Sequence, residues 1–97
     1  HTVTPSYIVD IVADHFSLTP QEIYSKNRSN KIAYPRQIAM FMCRKYLNMS
    51  LVDIGKAIGD KDHTTVMHAV KRIEEDIAKN DTSLQNILDI LVKKLNL

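Results

Sequence analysis

The run Lys61-Asp62-His63-Thr64-Thr65 brings together side chains that can read the edges of DNA base pairs. A carboxylate such as Asp62 accepts a hydrogen bond from the amino group of cytosine, and His63 can donate one to guanine or thymine. Thr64 and Thr65 each carry a hydroxyl and a methyl group, and the methyl can pack on the thymine methyl group. This chemistry predicts base reading in a major groove, provided that the side chains share one exposed turn.

Each of these residues also has a plain structural explanation. Asp is a preferred residue immediately before a helix, where its carboxylate accepts from a free backbone N–H, so Asp62 can be a cap alone. Thr64 and Thr65 are tolerated in a first helical turn, and His63 can be an exposed side chain without a role. Four short polar groups directly after a glycine-containing turn, in the most basic part of the chain, nevertheless favour DNA binding.

The elements that must position this run have the order of a helix-turn-helix. Ser50 and Asp53 predict the capped start of a short helix, and Gly59 interrupts it. Asp62 then opens a longer helix that extends to about Ala78. Its apolar side is predicted to face the core, so the reading residues face outward; the apolar residues are Val66, Ala69, Val70 and Ile73. His68 and Arg72 share the outer side with Thr65, at spacings of three and seven, and are expected to reach phosphates.

Helical signals continue through the rest of the chain, without the two-residue alternation of a strand. Thr4-Pro5 predicts one helix start, and the capping box from Thr19 to Glu22 predicts another. Residues 25–34 are polar and basic and are expected to form a loop, with Pro35 starting the next helix. The predicted fold class is all-α, as a single domain over 1–97 with the basic loop at 25–34, the helix-turn-helix at 50–78 and a closing helix at 82–96.

Charge is unevenly distributed along the 97 residues. The chain has a net charge of only +2, but residues 26–72 hold ten lysines and arginines against three aspartates, a net of +7. A basic segment of this kind can meet a phosphate backbone, although a solvated basic face explains it equally well. A single cysteine, Cys43, excludes an internal disulfide and suits a reducing compartment. With no signal peptide or apolar span in sight, we expect a cytoplasmic, nucleoid-associated protein.

The residue spacings give little support to an enzymatic function. His63 and His68 are five residues apart, whereas a helical zinc pair needs a spacing of four. Cys43 falls in an apolar-periodic helix and is expected to be buried, which argues against a nucleophile. Gly55-Lys56 lacks the second glycine and the hydroxyl of a phosphate-binding loop. We therefore expect no catalytic residue, no metal site and no cofactor.

The sequence of residues 54–73 resembles the signature of the DnaA family of bacterial replication initiators. The most specific part is Lys-Asp-His-Thr-Thr-Val at 61–66, followed by Ala69 and by Lys-Arg-Ile at 71–73. Residues 25–29 and 35–40 also look like that family, at the expected separation. The resemblance covers essentially the whole chain, although the first and last helices match mainly in position.

The resemblance implies a six-helix domain with a Trp-repressor-like helix-turn-helix that binds the DnaA box, an asymmetric A/T-rich nonamer at replication origins. It implies major-groove reading by the residues at 62–65 and insertion of Arg28 into the adjacent minor groove, where a narrow A/T tract concentrates negative potential. ATP would bind a neighbouring domain, not this one. With the outer-side residues of the long helix added, the expected phosphate contacts are Lys26, Arg36, Lys61, His68, Lys71 and Arg72.

The basic loop departs from the family pattern at three positions. Asn27, Asn30 and Tyr34 stand where family members often carry arginine. A less basic loop neutralises fewer phosphates, so we expect a lower total affinity with the sequence preference retained.

Two other functions remain open from the residues alone. The chain could be a different helix-turn-helix regulator, although most of these dimerise on palindromes and no dimerisation stripe is evident, which favours a monomer. It could also be a helical protein-interaction module that docks a partner on its last helix; the apolar stripe there is Leu84, Ile87, Leu88, Leu91, Val92 and Leu95. Closure of the domain's own core explains that stripe better. The sequence points to no particular regulatory protein partner.

Overall fold

Six α-helices account for most of the chain. The computed structural model describes residues 2–96, so His1 and Leu97, the ends of the predicted domain, lie outside the described residues. No strand occurs in that range, and the all-α prediction is confirmed. None of the helices in the range combines the length and apolar character that a membrane crossing requires. The helices are α1 (Pro5–His15), α2 (Pro20–Tyr24), α3 (Asn30–Tyr46), α4 (Leu51–Ala57), α5 (His63–Ala78) and α6 (Thr82–Leu95).

Side-chain caps begin most of the helices where the sequence predicts them. Thr4 Oγ1 accepts from the Tyr7 N–H at 3.1 Å, and Pro5 follows in the first turn of α1. Thr19 and Glu22 form a reciprocal capping box, in which each side chain accepts from the other's backbone N–H, at 2.9 and 3.2 Å. These bonds satisfy donors that a helix start otherwise leaves without partners.

Helix α3 begins at Asn30, five residues before the predicted start at Pro35. The basic loop therefore spans residues 25–29 instead of 25–34. Pro35 lies inside the helix and, having no N–H, leaves the Lys31 carbonyl without its helical donor. The additional turn buries Ile32, which is 8% exposed, together with Pro35. Burial of this apolar side offsets the lost hydrogen bond. The polar, proline-containing sequence of the segment gives little indication that it is helical.

Helix α3 lies at the centre of the fold and packs against α1, α2, α4 and α5. Its inner side joins the apolar side of α5, where Val66, Ala69, Val70 and Ile73 are buried as predicted and Ile77, on the same side, is half-buried. Helix α6 packs on α1 and α5, and Leu84, Leu88, Leu91 and Leu95 are buried there. The stripe of the last helix therefore closes the protein's own core.

The turn between α4 and α5 depends on two glycines. Gly59 has φ of +77°, in the left-handed region that disfavours other residues. A Cβ at Gly59 would overlap the Tyr24 carbonyl oxygen, and one at Gly55 would overlap the Lys61 carbonyl oxygen. The Lys61 N–H donates to the Gly55 carbonyl at 2.8 Å. The helix-turn-helix is therefore closed by direct backbone contact, both within the turn and against the end of α2.

Candidate nucleic-acid interface

The first turn of α5 presents the predicted base-reading residues to solvent. Asp62 Oδ2 accepts from the Thr64 N–H at 3.1 Å, so Asp62 is the N-cap of α5. Its other oxygen lies 3.5 Å from His63 Nδ1, and the two side chains are still 66% and 61% exposed. Thr64 and Thr65 are also exposed. Capping and exposure are thus compatible at Asp62, because one carboxylate oxygen makes the cap and much of the side chain faces solvent.

The buried side of α5 fixes which residues face outward. Val66 and Ile73 are fully buried against the core, and they bracket the helix over two turns. His68 and Lys71 lie on the exposed side, in line with the first turn. The helix therefore carries one continuous polar surface from Asp62 towards Lys71.

The basic loop lies directly beside the helix-turn-helix turn. Lys61 Nζ donates to the Tyr24 carbonyl at 2.7 Å, and the loop begins at the next residue. Within the loop, Asn27 Oδ1 accepts from the Ser29 N–H at 2.8 Å, which folds the backbone around Arg28. Lys26 and Arg28 are exposed. The structure thus joins the residue just before the basic loop, Tyr24, to the residue just before Asp62, Lys61.

Arg36 occupies a different place from the one expected for a phosphate contact. Its side chain is buried, at 7% exposure, and its guanidinium donates to the carbonyl groups of Glu22, Ile23 and Asn27 at 3.3, 2.7 and 2.9 Å. Burial lowers the pKa of this guanidinium from its usual value. Its donors are already used inside the protein, so we leave Arg36 out of the phosphate set proposed below.

Lys61 is also bound within the protein. Besides its bond to the Tyr24 carbonyl, its Nζ lies 3.3 Å from the Gly59 carbonyl, and the side chain is half-buried. The pKa of Lys61 is lowered, first by burial and then by the positive charges of Arg36 and Lys26. This ammonium therefore faces the turn and the end of α2 instead of standing free in solvent.

Arg72 is held by two side chains of α3 that sequence reasoning missed. Its guanidinium carbon lies 4.9 Å from the centre of the Tyr34 ring, and Nη1 donates to Gln37 Oε1 at 3.0 Å. The partners are 35 and 38 residues away in sequence, so no local pattern signals them. Tyr34 therefore gives Arg72 an aromatic face on which to stack.

Metal-ligating side chains and Cys43 are the other groups within residues 2–96 that the sequence analysis considered for chemistry. No group of three metal-ligating side chains occurs in that range. Cys43 is buried in α3, and burial raises the pKa of its thiol to about 12, so the reactive thiolate is disfavoured near neutral pH.

A short capped helix, a tight glycine turn and a long helix with polar groups on its exposed first turn define a helix-turn-helix domain. The comparisons with known proteins agree. The family described as the bacterial DnaA protein helix-turn-helix matches residues 5–73. This match covers well over half of the chain, which belongs to the DnaA family.

Individual relatives extend the match over nearly the whole chain. The chromosomal replication initiator protein DnaA of Lachnoclostridium phytofermentans is 54% identical over 98% of this chain, and that of Corynebacterium jeikeium is 36% identical over 94%. The chain spans only 21% and 16% of the lengths of these relatives. A crystal structure described as a DNA replication initiation factor has a TM-score of 0.80 and 33% identity, over 93% of this chain and 27% of the other.

Proposed function

We propose that this chain is a sequence-specific double-stranded DNA-binding domain that acts in the initiation of chromosome replication. In this proposal α5 enters the major groove, and the basic loop, residues 25–29, enters the adjacent minor groove. One observation carries it: Lys61, two residues before the exposed first turn of α5, donates at 2.7 Å to the carbonyl of Tyr24, which directly precedes the exposed basic loop. Adjacent contacts of this kind suit a ligand that presents two neighbouring grooves.

The proposed site is a DnaA box, an A/T-rich nonamer. Asp62, His63, Thr64 and Thr65 read base edges, and Arg28 inserts into the minor groove. The backbone contacts that fix the register are proposed for Lys26, His68, Lys71 and Arg72. Of these, Arg72 is held in place by Tyr34 and Gln37, so it loses less side-chain entropy on binding.

The wider setting is part of the same proposal. Relatives that are several times longer carry the name chromosomal replication initiator, which supports a role in replication. We propose that the domain binds as a monomer, because the site is asymmetric, and that it acts in the cytoplasm on nucleoid DNA. We assign it no catalytic role, and nucleotide chemistry would belong to another domain of such a protein.

The test is fluorescence-anisotropy binding to a DnaA-box duplex and to a scrambled duplex of equal composition, each at two salt concentrations. We expect a preference for the box of about 10³-fold or more. Equal, strongly salt-dependent binding to both duplexes would reduce the function to general DNA binding. Failure to bind either duplex would contradict the proposal and favour a protein partner.

A further inference from the structure

Three successive carbonyl groups at the C-terminus of α2 all accept hydrogen bonds from cationic side chains. The Glu22 and Ile23 carbonyls accept from Arg36 Nη2 and Nε, at 3.3 and 2.7 Å, and the Tyr24 carbonyl accepts from Lys61 Nζ. The last carbonyls of a helix have no donor in a following helical turn, and they carry the negative end of its dipole. The Glu22 carbonyl also accepts from the Ser25 N–H, at 3.2 Å. Cations from two separate elements, α3 and the helix-turn-helix turn, therefore meet at this one end.

The guanidinium of Arg36 also reaches into the basic loop. Nη1 donates to the Asn27 carbonyl at 2.9 Å, and Nη2 lies 3.4 Å from Ser25 Oγ. One planar fork thus binds the end of α2 and the backbone next to Arg28 together. Lysine has a single ammonium and cannot make these bonds at once.

On the other side, the helix-turn-helix turn touches the same end of α2. Lys61 Nζ bonds the Tyr24 carbonyl and the Gly59 carbonyl, at 2.7 and 3.3 Å, and any Cβ at Gly59 would overlap the Tyr24 oxygen. Lys61 immediately precedes the cap Asp62. The start of α5 is therefore anchored to the end of α2 by one side chain and by close backbone packing.

We propose that Arg36 and Lys61 are positioning residues that hold the basic loop and the first turn of α5 in one fixed arrangement at the end of α2. Neither one is a phosphate contact in this inference. For its effect on DNA the inference rests on the proposed function, since the arrangement sets the spacing between the minor-groove and major-groove contacts. Contacts that are prearranged before binding cost less entropy to form.

The first experiment uses the free protein and needs no DNA. Arg36→Lys keeps the charge and removes the fork, and Arg44→Lys is its matched control, because Arg44 lies in the same helix and donates to the Met49 carbonyl at 2.7 Å. We expect amide hydrogen exchange at Asn27 and Ser29 to accelerate about tenfold in Arg36→Lys only, as one charge-assisted hydrogen bond is lost. Unchanged exchange, or an equal acceleration at the core residue Ile73, would overturn the inference.

A second variant covers the case in which Arg36→Lys does not fold. Lys61→Met keeps the apolar stem of the side chain and removes the donor to the Tyr24 carbonyl. The Ser25 N–H, bonded to the Glu22 carbonyl at 3.2 Å, lies next to that anchor and should exchange faster while Ile73 does not. If the Ser25 amide exchanges as in the parent protein, Lys61 does not position the loop.

Binding to DNA then separates positioning from phosphate contact. On box duplexes with A/T-rich or G/C-rich flanks, Arg36→Lys should reduce the preference for the A/T flank about tenfold, because Arg28 is no longer held in place. Adding Arg28→Ala to that variant should cost nothing more, since the two residues act together. A retained flank preference would identify Arg36 as a simple cationic contact and overturn the inference.

If the parent protein itself shows no flank preference, the minor-groove part of the proposed function fails. The hydrogen-exchange experiment on the free protein then still tests whether Arg36 and Lys61 position the loop.

Discussion

At the scale of single residues, two arginines occupy opposite environments, one in the basic loop and one in the helix that follows it. Arg28 is exposed at the tip of the loop, whereas Arg36 is 7% exposed and bound to three backbone carbonyls. The residue type alone therefore does not separate a ligand contact from an internal one. The residues of the first turn of α5 differ in that their exposure follows directly from the helical periodicity.

His63→Ala and Thr64→Ala should each cost about 1–3 kcal/mol in binding free energy on the specific box and little on a scrambled duplex. Both side chains are exposed where the proposed major-groove contact forms. Anisotropy titrations on the two duplexes measure the difference. Ser83→Ala is the matched control, because Ser83 is an exposed hydroxyl in the first turn of α6 and lies outside the proposed interface. Equal losses on both duplexes would mean that His63 and Thr64 are general contacts.

Cys43 should make the protein less stable in alkali. Burial raises the pKa of its thiol from about 9 to about 12, so the folded protein resists losing that proton. The stabilisation is complete below pH 9 and is lost as the pH rises towards 12, by about 1.4 kcal/mol at pH 10. Urea unfolding at pH 7, 8, 9 and 10 measures this loss.

The control for that prediction is Cys43→Ala, which removes the thiol. Its free energy of unfolding should be lower at every pH, because a cavity is left, but should fall less steeply between pH 8 and 10. The raised pKa values of Tyr24, Tyr34 and Tyr46 act in the same direction and remain in the variant. The same steepness in both proteins would show that Cys43 does not set the slope.

At the scale of elements, α5 combines a structural cap with a reading surface. Asp62 makes the N-cap bond to the Thr64 N–H, and the same residue is proposed to read cytosine. The helix needs the acceptor oxygen at this position, and DNA reading needs the carboxylate to stay exposed. These two requirements can be separated by substitution, because Asn caps a helix about as well as Asp does.

Asp62→Asn should keep the stability of the domain while weakening selection for the box, whereas Asp62→Ala should lose both. The expected loss of unfolding free energy for Asp62→Ala is about 1 kcal/mol, typical of a removed N-cap acceptor. Thermal unfolding and box-against-scrambled binding are measured on the two variants. Asp81→Asn, at the N-cap of α6, is the control for a cap outside the interface. If Asp62→Asn selects the box as well as the parent does, Asp62 is a cap only.

At the scale of the whole molecule, folding draws some cations of the segment with net charge +7 into hydrogen bonds within the protein. Three of its ten cations, Arg36, Arg44 and Lys61, donate to backbone carbonyls of the protein itself. Fewer cations are therefore free to replace counterions on DNA than the sequence count indicates.

The salt dependence of binding should reflect that reduced number. Lys26→Ala should weaken binding to box and scrambled duplexes alike and lower the slope of log K against log salt by about one, because an exposed lysine releases about one counterion. Arg36→Gln, which also removes one charge, should leave the slope nearly unchanged. Titrations at four salt concentrations measure both slopes. An equal decrease of the salt slope in the two variants would indicate that Arg36 contacts a phosphate.

The fold class, the family and the start of most helices can be predicted from local features of the amino-acid sequence. These features depend on local rules: a capping residue satisfies the nearest free N–H, and an apolar side repeats every three or four residues. The first turn of α5 belongs to this group, since Asp62 and the buried Val66 are close in sequence and fix which residues face outward.

The start of α3 and the identity of the solvent-exposed cations are set by contacts between helices that are distant in sequence. Ile32 and Pro35 become helical because other helices bury them, against the local preference of a polar segment. The bonds of Arg36 to α2 and of Lys61 to the Tyr24 carbonyl join residues that lie 13 to 37 positions apart. Such contacts depend on how whole helices pack, and a pattern read over a few neighbouring residues does not contain that information.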